Sequence, residues 1–95
     1  MSWDMLDWNW ETFRRRVPSE IDAVILPVGT VEAHGAIPLG TDVFIPRALA
    51  LDLAPRLGAL VAPSVPYGVT NTLLPYPGST AITPATFEAY LYEAA

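Results

Sequence analysis

Asp22-Ala23-Val24-Ile25-Leu26-Pro27-Val28 is a near-continuous apolar run that ends at Gly29. A run of this kind is the pattern of a strand covered on both faces in a parallel sheet, and Pro27, which has no amide hydrogen, limits the ladder near its end. Downstream, Thr41 or Asp42 is placed to cap a helix in which Ile45, Leu49, Leu53 and Leu57 form an i, i+4 stripe. Pro46 is tolerable in its first turn, Pro55 kinks or shortens it, and Gly58 ends it. Ala59-Leu60-Val61-Ala62 then reads as a second short strand. Strand, loop, helix and strand in that order are what a βαβ crossover requires, so the expected fold class is α/β.

Outside this unit the signals are shorter. Residues 7–17 have helical spacing, with Asp7 as N-cap, Trp10, Phe13 and Val17 on one face, and Pro18 as the stop. Trp3, Trp8 and Trp10 read as packing anchors or part of a subunit interface. Segment 63–77 is rich in Pro, Gly, Tyr and Asn and longer than a usual connection, which marks a binding loop; within it Thr70 is the candidate for substrate contact. Residues 78–82 are expected to add a third strand. Thr83 caps a last helix with Pro84 at N1 and Phe87, Tyr90 and Leu91 toward the core. No glycine, basic last turn or proline closes that helix, so residues 1–95 are expected to be one incomplete α/β domain, truncated at its C-terminus.

Composition narrows the function. An apolar fraction of 52% in 95 residues supports a core, so disorder is not expected. Ten carboxylates against 5 basic residues, three of the latter bunched at Arg14-Arg15-Arg16, argue against a nucleic-acid partner. The chain has no cysteine, which excludes disulfides and thiolate ligands; any metal must rest on oxygen and nitrogen donors. The N-terminus lacks a basic stretch followed by an apolar one, and no apolar run is long enough to span a bilayer, so a soluble cytoplasmic protein without a membrane partner is expected.

The chemistry is concentrated in Glu32-Ala33-His34-Gly35-Ala36-Ile37-Pro38-Leu39-Gly40-Thr41-Asp42, which leaves the first strand and enters the helix. Ligands of open α/β sheets bind beyond the carboxyl ends of the strands, and this segment lies there. A carboxylate and an imidazole two residues apart can face one point, and a Pro/Gly turn can bring Asp42 back to them. Hard oxygens with one imidazole suit Zn, Mn or Fe, and a carboxylate can bridge two ions. The same residues admit a plainer reading, with Glu32 solvated, His34 hydrogen-bonded locally and Asp42 capping the helix.

Leu26-Pro27-Val28-Gly29-Thr30-Val31-Glu32-Ala33-His34-Gly35, followed by Pro38-Leu39-Gly40-Thr41-Asp42, resembles the N-terminal signature of the creatininase (creatinine amidohydrolase) family. Pro66-Tyr67-Gly68 and Tyr76-Pro77-Gly78-Ser79 are similar to its next two landmarks, and the resemblance runs over about residues 22–87. It implies a three-layer α/β/α sandwich with a largely parallel sheet, of which this chain holds the N-terminal part. It also implies metal ligation by Glu32 and His34 on different ions of a dinuclear centre, with Asp42 bridging them. The activity implied is hydrolysis of a cyclic amide or related C–N bond of a small molecule by metal-activated water, in a homo-oligomer that is typically a hexamer. Many members carry a second histidine after His-Gly; this chain has Ala36-Ile37 and is one residue shorter there, so a substrate other than creatinine is expected. The family's later ligands and acid/base residues lie beyond residue 95, so no catalytic residue is named, and the 95-residue chain alone is expected to be inactive.

Two other classes are compatible with parts of the sequence. One is a non-catalytic α/β interaction module or inactive half-domain that binds through an exposed apolar edge. The other, a nucleotide-binding domain, lacks support, since neither Gly-x-Gly-x-x-Gly nor a P-loop follows the first strand.

Overall fold

The computed structural model describes residues 2–95. Strand β1 (Val24–Ile25) pairs in parallel with β2 (Leu60–Val61), Val24 opposite Leu60 and Ile25 opposite Val61. The Leu60 and Ala62 amides donate to the carbonyls of Ala23 (3.0 Å) and Ile25 (2.9 Å), bracketing the pair. Further along, Val28 and Val65 form a parallel bridge; the Val65 amide donates to Pro27 O, and the Gly29 amide to Val65 O, each at 2.9 Å. Pro27 therefore contributes its carbonyl where it has no amide to give. The two loops that follow the strands thus leave from the same edge of the sheet.

Helix α2 (Thr41–Leu57) makes the crossover. It ends at Gly58, whose φ of 63° is left-handed, and the Gly58 and Ala59 amides both close on Ala54 O. Glycine takes that conformation without a Cβ penalty, as expected at this position. The face of α2 that meets the sheet is made of small residues: Ala50 and Ala54 are buried against Val61, with Trp3, Ile25 and Leu51 packed around them. Leu60 and Val61 are the largest fully buried side chains, each worth roughly 1.5–3 kcal/mol of burial.

The stripe expected to face the core does not. Ile45, Leu49, Leu53 and Leu57 are all exposed, as is Phe44. Alanines allow the helix to lie close to the sheet, and the larger side chains are left on the opposite side. Helix α2 also runs through both prolines: Pro46 lies beyond the first turn, and Pro55 does not end it. Gly40, not Thr41 or Asp42, is the N-cap, and it gives no side-chain cap bond.

The remaining elements are short. Asp4 caps a 3-10 turn (Met5–Asp7), accepting the Leu6 amide, and Asn9 caps α1 (Trp10–Arg16), accepting the Thr12 amide at 2.9 Å; the single helix expected from Asp7 is thus two pieces. Before them, the Val61 amide donates to Trp3 O at 2.8 Å and Asp4 bridges Val61 in parallel, so the N-terminal segment lines the free edge of β2. Arg47 of α2 ties Asp4 down with a 2.7 Å ion pair. Trp3 is the packing anchor among the tryptophans, whereas Trp10 is exposed beside Arg14. The third strand expected over residues 78–82 is reduced to one antiparallel bridge, Val31 with Thr80. Helix α3 (Pro84–Ala94) starts as read, with Thr83 as N-cap, but none of its residues is buried and Tyr90 is exposed. No helix of the described residues is long and apolar enough to cross a membrane.

Candidate metal centre

Beyond β1 the chain stays extended past Gly29, and a 3.3 Å hydrogen bond from the Glu32 amide to Leu39 O closes the ligand segment on itself. The tip is a tight turn at Gly35, which takes φ 63°, with His34 bridged to Ile37. Residues two apart on extended backbone project to one side, so Glu32 and His34 share a face. The Thr41 amide and hydroxyl both donate to Pro38 O, at 3.2 and 2.7 Å, and turn the chain into α2.

Gly29 sets the depth at which α2 begins. A Cβ at this position would run into the Asp42 carbonyl oxygen and lie 2.7 Å from its carbon, so only glycine lets the strand end approach the first helical turn. Gly68 in turn sits against Gly29, where a Cβ would come within 2.8 Å of the Gly29 oxygen. Pro46, having no amide, cannot donate the i to i−4 bond to Asp42 O, which leaves that carbonyl on the contact side.

The outcome is a convergence of three donors. His34 Nε2 lies 3.2 Å from Asp42 Oδ2 and 3.5 Å from Glu32 Oε1, and one ligand atom from each of the three residues falls within 4.8 Å of the others. The side chains are 13% (Glu32), 21% (His34) and 39% (Asp42) exposed, so the cluster opens to solvent on the Asp42 side. His34 Nε2 is itself buried and has no hydrogen-bond partner, although two carboxylate oxygens stand beside it. Its neighbours are at contact distance without being aligned as acceptors. Donors bound to one ion at about 2.0–2.2 Å lie roughly 3–4 Å from one another, which is the spacing of His34 Nε2 from each of the two carboxylate oxygens. Two observations stand against the plainer reading: Asp42 is not the N-cap of α2, and the buried His34 Nε2 makes no hydrogen bond.

Neither neighbouring threonine hydroxyl, of Thr30 or Thr41, holds these ligands by a hydrogen bond. Thr41 Oγ1 is committed to Pro38, and Thr30 Oγ1 is buried without a partner. The support comes instead from Ser79, the last residue of the Tyr76-Pro77-Gly78-Ser79 landmark, whose Oγ accepts the Ala33 amide at 2.9 Å; the resemblance marks the segment but not this bond. Beside His34 a hollow of about 380 Å³ is lined by Ala33, Gly35, Leu73, Tyr76 and Pro77, so the loop expected to bind does border the cluster. Thr70 is buried, at 7% exposure, and is not among those lining residues.

Fold and donor set together define an α/β protein with a carboxylate–imidazole constellation at the carboxyl edge of a parallel sheet. The chain belongs to the creatininase family, whose model, described as creatinine amidohydrolase, matches residues 6–95. It is 34% identical over 84 residues to a creatinine amidohydrolase of Pseudomonas putida, covering 82% of this chain and 32% of that protein. It is also 36% identical over 86 residues to a mycofactocin precursor peptide peptidase of Mycolicibacterium smegmatis, covering 83% and 35%. Among solved structures, one described as creatininase Mn matches with a TM-score of 0.92 at 29% identity, over 99% of this chain and 39% of that one. A mutant creatininase complexed with creatine matches with a TM-score of 0.90 at 29% identity, over 99% and 38%. The chain spans about a third of the length of its curated relatives.

Proposed function

We propose that this chain is the N-terminal part of a creatininase-type metal-dependent amidohydrolase acting on a C–N bond, in a cyclic amide or formamide-like group, of a small molecule. The observation that carries the reading is the buried, unpartnered His34 Nε2 set 3.2 and 3.5 Å from two carboxylate oxygens. Two carboxylates and a neutral imidazole sum to a local charge of about −2, which suits divalent zinc, manganese or iron. Glu32 and His34 would hold different ions of a pair, with Asp42, the most exposed of the three, between them. Bound divalent ions supply Lewis acidity toward a carbonyl and bring the pKa of water toward neutrality.

The chain's own residues do the rest of what lies within it. The hollow beside His34 offers a neutral, apolar wall with the Tyr76 ring in it, suited to the uncharged part of a small amide. Thr70, buried in the same loop, is our candidate for a polar contact to substrate. The full-length protein is proposed to be a cytoplasmic homo-oligomer, a hexamer by analogy with its family, and the 95-residue chain alone to be inactive.

Metal analysis of the full-length protein tests the reading: about two divalent ions per chain are expected. A protein that retains none after dialysis against buffer with added Zn²⁺ or Mn²⁺ does not fit it. One observation favours a second reading, a non-catalytic interaction module: the exposed row of Phe44, Ile45, Leu49, Leu53 and Leu57 on α2. That module would bind a protein partner with no metal in the 32–42 segment.

A further inference from the structure

We propose that Ser79 is a positioning residue for the Glu32–His34 pair, an inference that rests on the metal-site reading above. Ala33 separates the two ligands, and its amide belongs to the peptide plane that sets the direction of one relative to the other. That amide donates to Ser79 Oγ at 2.9 Å, across 46 residues of chain. A rotation of the 32–33 peptide breaks this bond and swings the Glu32 carboxylate away from the imidazole.

Ser79 is itself held on both sides. Its amide donates to Tyr76 O at 3.1 Å, closing the turn that carries Tyr76 into the hollow. The next amide, Thr80, donates to Val31 O at 2.9 Å, which makes residues 31 and 80 an antiparallel bridge. The preceding Gly78, at φ 90°, lies against Leu39, where a Cβ would come within 2.7 Å of Leu39 Cδ1. Leu39 O is the acceptor for the Glu32 amide. Residues 78, 79 and 80 therefore grip the ligand segment at Leu39, Ala33 and Val31, and of these three residues only Ser79 does so through its own side chain. That makes it the one a substitution can remove while the backbone frame stays in place.

Groups that orient metal ligands typically influence metal affinity by roughly 10–100-fold. Titration of the full-length apoprotein with Zn²⁺, read by calorimetry, and with Co²⁺, read by its visible absorption, tests the assignment. Ser79→Ala is expected to weaken Zn²⁺ binding by about 10–100-fold and to alter the Co²⁺ spectrum, with a melting temperature close to that of wild type. Ser79→Thr keeps the hydroxyl and is expected to bind as wild type, whereas Ser79→Val, of the same shape without the hydroxyl, follows Ser79→Ala. Thr80→Ala, which leaves the Thr80 amide in place, is expected to change neither reading. Equal Zn²⁺ affinity in wild type and Ser79→Ala overturns the role; should Ser79→Ala not fold, equal affinity in the Thr and Val variants overturns it. A wild-type protein that takes up no metal refutes the metal-site reading itself, which is a separate outcome.

Discussion

The two ends of α2 are built to different ends. At the C-terminus every local feature serves termination: Gly58 adopts the left-handed conformation, and the Gly58 and Ala59 amides close on Ala54 O. At the N-terminus the usual capping residues are present but are used elsewhere. Gly40 caps without a side chain, Thr41 Oγ1 binds Pro38 O, and Asp42 points its carboxylate at His34. An N-cap side chain is typically worth about 1 kcal/mol, so this end gives up stability that its own sequence contains. Where a helix start forgoes an available cap, the polar residues there are to be read as belonging to a site.

The largest effect that can break this contrast is at Asp42. Asp42→Ala in the full-length protein is expected to abolish retention of divalent metal, while stability changes by less than about 1 kcal/mol because no cap bond is lost. Elemental analysis beside a urea melt reads both, and a variant that keeps its metal but loses several kcal/mol would make Asp42 a structural residue. Gly29→Ala comes next. Its Cβ meets backbone that cannot rotate away, so it is expected to cost about 1–3 kcal/mol and also to weaken metal binding by displacing Asp42. An unchanged melt would show that the strand end is not packed on the helix start.

Gly58→Ala sharpens the other side of the comparison. Nothing lies within 4 Å of the added Cβ, so only the positive φ is penalised: roughly 1–2 kcal/mol of stability, with metal affinity unchanged. The smallest effect is expected from the Asp4–Arg47 pair, which fastens the N-terminal segment to the middle of α2. The Arg47 hydrogen bond, and then the Leu6 amide, hold the Asp4 carboxyl below its usual pKa. A depressed folded-state pKa stabilises above the unfolded value near 3.8 and loses that contribution as pH falls through the folded value. Arg47→Gln is therefore expected to flatten the acid limb of stability against pH below about 4, by no more than about 1 kcal/mol since Arg47 is partly solvent-exposed. Identical acid limbs in the two proteins would remove Asp4 from the account.

What the sequence disclosed depends on how local the cause was. The βαβ order was legible because the apolar runs at 22–28 and 59–62 carry it, and β1 and β2 formed inside them. Glu32, His34 and Asp42 were legible as a group because their spacing and the Pro/Gly turn place them, and the structure does bring them together. The buried face of α2 was misread, since Ala50 and Ala54 give a far weaker hydrophobic signal than the leucines opposite them. The pairing of Trp3 with β2 was not legible, since it is made by backbone groups common to all residues; Ser79 stood in a recognisable motif, but its partner, 46 positions away, did not follow from it. The burial of Thr70 was not legible, because it follows from packing that composition does not encode. Thr70→Val discriminates its roles, with a raised KM at constant melting temperature expected if the hydroxyl reaches substrate.

All three donors lie between positions 32 and 42, so their meeting requires only a short segment to close. Closure of a loop of about ten residues takes on the order of 10–100 ns in an unstructured chain. On the reading proposed here, ion capture by this segment does not have to wait for tertiary assembly: the three donors can meet around an ion before the strands and helices have packed.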